Sequence, residues 1–140
     1  ITLSVDEIDI NLQVELADEP DERAQGFMCR KSVPAGTGML FIYPTPRTSG
    51  FWMFNTYVPI DILFIDRSHR VVDNLTMTPC LREAAGDDDW RAKCATEATK
   101  YVPENEWLST LELPAGWLES VGIDNTNIAN LKVDWISVAD

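Results

Sequence analysis

Residues 51–65 read "FWMFNTYVPIDILFI", an apolar run broken by Asn55, Thr56, Pro59 and Asp61. A membrane-spanning helix needs about 20 consecutive apolar residues, so this run is too short and too interrupted to be one. Pro59 cannot donate to a ladder and divides the stretch into two pieces of strand length, "FWMF" (51–54) and "IDILFID" (60–66), rich in β-branched and aromatic residues. In a strand the side chains alternate, which puts Phe51 and Met53 on one face and Trp52 and Phe54 on the other. Asn55 and Thr56 then serve the turn, where short polar side chains hydrogen-bond the backbone. Asp61, between Ile60 and Ile62, is costly unless it is paired or accepts hydrogen bonds, and Arg30 and Arg47 are the expected partners.

The flanking segments extend a β-rich pattern. "LSVDEIDINLQVELA" (3–17) alternates, with Ile8, Ile10, Leu12, Val14 and Leu16 on one face, and predicts a half-buried strand preceded by a short one and a turn near Asp6–Glu7. "DEPDERAQGFMCR" (18–30) changes to helical spacing. Asp18 is the expected cap, Pro20 fits the first turn, Ala24, Phe27 and Met28 form the buried stripe, and Gly26 marks a close approach of another backbone. "MLFIY" (39–43), "RVVDNLTM" (70–77), "WLSTLEL" (107–113) and "KVDWISV" (132–138) read as further strands, and "PAGWLESVG" as a helix of about two turns. The sum is an α+β fold, mainly antiparallel β, with seven or eight short strands, two short helices and closure into a small barrel as one outcome. No repeat or linker divides the chain, so residues 1–140 are expected to be a single domain.

Residues 78–106 carry few periodic apolar positions and are expected to form a long excursion, a flap or a pinned loop. Cys80 and Cys94 flank its acidic part, "CLREAAGDDDWRAKC", and are paired here; closing a loop of about 15 residues contributes about 3 kcal/mol. Such a bond places the protein in an extracytoplasmic, oxidising compartment. The alternative is two reduced thiols in a cytosolic loop. Cys29 is left as a small buried apolar residue. Ile1 opens directly into alternation, with no basic segment leading an apolar one, as expected where an export signal or anchor has been removed and equally where a cytosolic chain is cut at a domain boundary.

The formal net charge is −12, from 23 acidic against 11 basic residues, a field that repels phosphate backbones and anionic lipid. Nucleic acid is therefore not an expected partner, whereas a neutral or cationic small ligand is compatible. His69 is the only histidine and sits in a turn, which removes the usual Ser/His/Asp and Cys/His nucleophilic arrangements. Three cysteines with one histidine do not make a zinc site, and "GDDDW" (86–90) lacks the ligand spacing of a calcium loop, so no metal or other cofactor is expected.

Five segments, "ERAQGFMCR" (22–30), "GMLFIY" (38–43), "FWMFNTYVPIDILFID" (51–66), "MTPC" with the later Cys94 and Tyr101, and "LELPAGWLESVGI" (111–123), resemble the domain of unknown function 192 (DUF192) family in order and spacing. The resemblance implies a small β-rich α+β fold, often exported or anchored, and brings no activity or catalytic residue with it. Phe27 and Cys29, and the length and acidity of residues 81–106, depart from the usual pattern of that family.

The residues themselves then suggest three functions. The leading one is a non-catalytic, extracytoplasmic binding module, with carbohydrate as the ligand class, because tryptophans beside amides and carboxylates suit a sugar's apolar face and hydroxyls. Its site would use Trp52, Asn55, Asp61 and Arg30 or Arg47, walled by Tyr43 and Tyr57, with the Cys80–Cys94 flap and an exposed Trp90 at the mouth. The second is a hydrolase or lyase using Asp61 with another carboxylate such as Glu22. The third is a structural or protein-interaction domain in which the polar cluster only closes the fold.

Overall fold

The computed structural model describes residues 2–5 and 8–135. Its centre is a five-stranded sheet in the order β3-β4-β7-β5-β6, built from β3 (Gln13–Ala17), β4 (Thr37–Arg47), β5 (Ile60–Ile65), β6 (Val71–Met77) and β7 (Trp107–Pro114). All neighbours are antiparallel except β3 and β4, which run parallel and are linked through helix α1 (Pro20–Gln25). A second sheet of β1 (Thr2–Val5), β2 (Ile8–Asn11) and β8 (Lys132–Asp134), in the order β2-β1-β8, is fully antiparallel. The α+β, mainly antiparallel expectation therefore holds. The sheets do not close into a barrel.

The burial of β5 and β7 follows from this arrangement. A sheet covered on both faces needs near-continuous apolar strands instead of alternating ones. On one face Leu40, Leu63, Ile65, Leu111 and Leu113 meet Leu3 and Val133 of the small sheet and Leu118 of helix α3 (Trp117–Ser120). On the other, Phe41, Ile60, Ile62 and Phe64 meet Met53, Phe54, Trp90 and Cys94. The second covering layer has little regular structure apart from helix α2 (Asp87–Glu97), and it is where the structure departs most from the sequence reading.

Residues 51–54 form no strand. Met53 and Phe54 are buried in the same cluster, and Phe51 and Trp52 pack against it, an arrangement that alternation across one strand does not give. Gly50 fixes the segment instead: a Cβ there would lie 2.1 Å from the Tyr101 carbonyl oxygen, so only glycine permits this approach. The Trp107 indole N–H donates to the Ser49 carbonyl at 2.8 Å and holds the same loop from below.

Three further boundaries move. The alternating run 8–17 is two strands in different sheets, divided at buried Leu12. The first helix is shorter than residues 18–30: the Glu22 side chain accepts the Glu19 N–H at 3.1 Å at its start, Gly26 at φ +49° stops it, and Ala24 is exposed. Gly26 faces the ring of Phe41, not another backbone. Cys29, also at positive φ, points outward and is exposed. The terminal strand is seen as Lys132–Asp134; residues 136–138 of the expected strand, and the turn at Asp6–Glu7, lie outside the described residues.

Candidate functional site

A cavity of about 490 Å³ opens beneath the irregular layer, against the face of the five-stranded sheet. Its apolar walls come from the end of α1 (Phe27, Met28), from β4 (Phe41, Tyr43) and from the Gly50-anchored loop (Phe51, Trp52, Met53). Ala95, Ala98, Thr99 and Val102, at and beyond the end of α2, close one side. This far wall belongs to the expected excursion, which is helical. Acidic Asp87, Asp88 and Asp89 suit the positive end of α2, and the spacing of Trp90 and Cys94 puts both on its buried face. Cys80 and Cys94 are disulfide-bonded, with Cα atoms 5.8 Å apart, so the bond ties α2 to the segment that follows β6.

Between these apolar walls the central strand presents a carboxyl group. Glu112 is paired in register with Met39 on β4 and Ile62 on β5, and is only 7 % exposed. No described residue hydrogen-bonds its side chain. Burial pushes its carboxyl up to about 8, because the charged form loses its water without gaining a partner. At neutral pH Glu112 is therefore mainly a neutral acid, able both to donate and to accept. Thr110, two residues earlier on β7, is also buried with its hydroxyl unpartnered among the described residues.

The rim is cationic. The guanidinium of Arg47 lies 4.6 Å from the centroid of the Tyr43 ring and that of Arg23 lies 4.9 Å from it. Arg23 is held by donating to the Asp18 and Ile42 carbonyls, at 2.6 and 3.0 Å. Arg47 is exposed, and its guanidinium makes no ion pair or hydrogen bond with a described residue. Burial raises the Tyr43 hydroxyl above its ordinary range, against the opposing pull of Arg47 and Arg23.

The structure separates the residues grouped by the sequence reading. Trp52 and Arg47 line the cavity. Asn55 sits just behind its wall at φ +58°, with its amide donating to the Cys29 sulfur at 2.9 Å and its carbonyl accepting from Tyr57 at 2.5 Å; Tyr57 is exposed and outside the lining. Arg30 pairs with Glu15 on β3, and that hydrogen bond holds the Glu15 carboxyl below its usual range. Asp61 has neither arginine as a partner: it accepts from the Thr76 hydroxyl at 2.6 Å and from the Gly116 N–H at 2.9 Å, in a separate groove beside α3. Trp90 is buried, at 7 % exposure, with its indole N–H on the Cys80 carbonyl and its ring 4.5 Å from that of Phe54.

Glu112 was not among the residues singled out from sequence. The one available signal is its position in "TLELP", where an acid lies between two leucines in a strand buried on both faces. No group of three or more His, Cys, Asp or Glu side chains among the described residues is arranged to hold a metal ion, and no described helix is long and apolar enough to cross a membrane.

The comparisons with known proteins agree with the fold. The profile of DUF192, described as "Uncharacterized ACR", matches residues 1–128. A UPF0127 protein of Pyrococcus abyssi is 30% identical over 130 residues, covering 89% of this chain and 87% of that protein. Among solved structures, a candidate transcription regulator from Sinorhizobium meliloti 1021 superposes with a TM-score of 0.67 at 27% identity, over 94% of this chain and 91% of the other. A protein of unknown function from Novosphingobium aromaticivorans DSM 12444 gives 0.68 at 24% identity, over 96% and 84%, and shows the shared fold.

Proposed function

This chain belongs to the DUF192 family, and from that premise we propose that it is a single-domain, extracytoplasmic, non-catalytic ligand-binding module whose site is the cavity between the five-stranded sheet and the α2 wall. One observation carries the reading: a largely buried carboxyl, Glu112, with no hydrogen-bond partner among the described side chains, lies on the floor of a cavity whose walls are mainly apolar. Such a group costs stability, and a binding site is where apolar walls with a few fixed polar groups are found. The Cys80–Cys94 bond supports an oxidising compartment.

The hydrolase reading loses its support, because both Asp61 oxygens are engaged by Thr76 and Gly116 and no second carboxylate shares the cavity with Glu112. Carbohydrate is also less favoured than the tryptophan count suggests. Trp90 is withdrawn into the core, which leaves Trp52 as the one tryptophan in the cavity's lining. A nucleic-acid role, suggested by the description of the Sinorhizobium neighbour, is opposed by a net charge of −12.

The test is a thermal-shift and calorimetric screen of the oxidised protein against small organic molecules, since a ligand that binds only the native state raises the melting temperature. Ala95→Trp, at an exposed α2 position on the cavity wall, is designed to obstruct the space from outside the core. A reproducible shift that disappears in Ala95→Trp is expected. Shifts that survive the blocked cavity, or none from any ligand, would sink the assignment.

A further inference from the structure

The cavity differs from the rest of the molecule in the sign of its charges. In a chain of net charge −12, its lining contains two arginines, Arg23 and Arg47, and no acid other than the buried Glu112. The elements around Glu112 contribute no further charged group: β4 gives Tyr43 and Arg47, α1 gives Arg23, the Gly50-anchored loop gives Ser49 and Thr56, and the α2 wall gives Ala95, Ala98 and Thr99. A cationic ligand would meet two guanidinium groups and a carboxyl that desolvation keeps from ionising. An anion would meet the opposite situation. Arg47 is the available cation, since Arg23 spends donors on two carbonyls whereas Arg47 is held only against the face of Tyr43.

We infer that the cavity selects a compact monoanion with an apolar, preferably aromatic, body, its negative group paired with Arg47 at the rim and a hydroxyl or carbonyl at its far end hydrogen-bonded to Glu112 on the floor. This rests on the cavity being a binding site and replaces the neutral or cationic ligand that net charge alone suggests. The body would lie among Phe41, Phe51, Trp52 and Met53. A planar guanidinium suits a carboxylate bidentately, and its stacking on Tyr43 limits the freedom lost on binding. Glu112 acts in its protonated form, donating to the ligand oxygen and accepting from its hydroxyl.

A matched series isolates charge from shape: para-hydroxyphenylacetate, its uncharged amide and the cation tyramine share a ring and a phenol. Calorimetric titration of the intact, oxidised protein at pH 7 should rank them anion, then amide, then amine. Arg47→Met should weaken the anion about tenfold and leave the amide within about twofold. Glu112→Gln, which cannot ionise, should abolish the fall in affinity expected of the native protein as the pH rises past about 8. Tightest binding by tyramine, or an anion affinity indifferent to Arg47→Met, would overturn the inference. If none of the three binds while an uncharged apolar probe such as indole still gives a shift blocked by Ala95→Trp, the anion inference fails and the binding-site reading stands; if indole also fails, both fall.

Discussion

Glu112 shows how much one side chain depends on surroundings that its neighbours in sequence do not reveal. Its carboxyl has an ordinary value of 4.5 and is held at about 8 by burial on the central strand. The folded protein therefore binds this proton more tightly than the unfolded chain does. That contribution is complete below about pH 4.5 and is lost as the pH rises through about 8, so burial of the acid destabilises the protein on the alkaline side. Glu112→Gln should accordingly melt about 5 °C or more above the native protein at pH 8–9 and close to it at pH 4, as read by differential scanning calorimetry at both values. Equal melting temperatures at pH 8–9 would mean that the carboxyl is hydrated or paired in solution. Gly50 is a second residue of this kind. Its Cβ position is occupied by the Tyr101 backbone, so Gly50→Ala should cost about 3 kcal/mol in chemical denaturation, by displacing the loop that carries Phe51, Trp52 and Met53.

Helix α2 is the element on which the cavity depends. Its covalent tether is the Cys80–Cys94 bond, and Trp90 packs it onto Phe54. Reduction should lower stability by about 3 kcal/mol in the chain-entropy account and free the wall formed by Ala95, Ala98 and Thr99. Ligand-induced thermal shifts should then shrink in reductant by more than the lower melting temperature alone explains. Retention of full affinity by the reduced protein would show that packing alone holds α2. Asp61 belongs to this scale for another reason. It links β5 to Thr76 of β6 and to the Gly116 N–H before α3, on the far side of the sheet from Glu112. Asp61→Ala should therefore cost about 1 kcal/mol in urea denaturation and leave the cavity's affinity unchanged, whereas a lost ligand response with intact stability would return Asp61 to the site.

Across the whole molecule, a charge of −12 is spread over a surface whose ion pairs among the described residues are few and exposed, so self-repulsion opposes folding and salt should relieve it. The melting temperature at pH 7 is expected to rise between 0.05 and 1 M sodium chloride on the order of several degrees; a flat or falling response would show that the acidic surface is not under electrostatic strain. Much of this architecture could be read from the sequence. Alternation, prolines and glycines located β1 and β4 to β7, because strand-forming preference and turn chemistry are local, and the motifs from residue 22 to residue 123 identified the family. The Cys80–Cys94 pair followed from two thiols around an irregular, acidic stretch. What the sequence could not supply was the partner of each side chain. "FWMF" has strand composition yet lies flat against a core, Trp90 is buried by the fold of a segment with little apolar periodicity, and Asp61, Arg30 and Arg47 lie in three separate places. Those outcomes rest on contacts between residues far apart in the chain, and the same is true of Glu112: an acid between two leucines becomes the floor of a cavity only when β4, β5 and the α2 wall close around it.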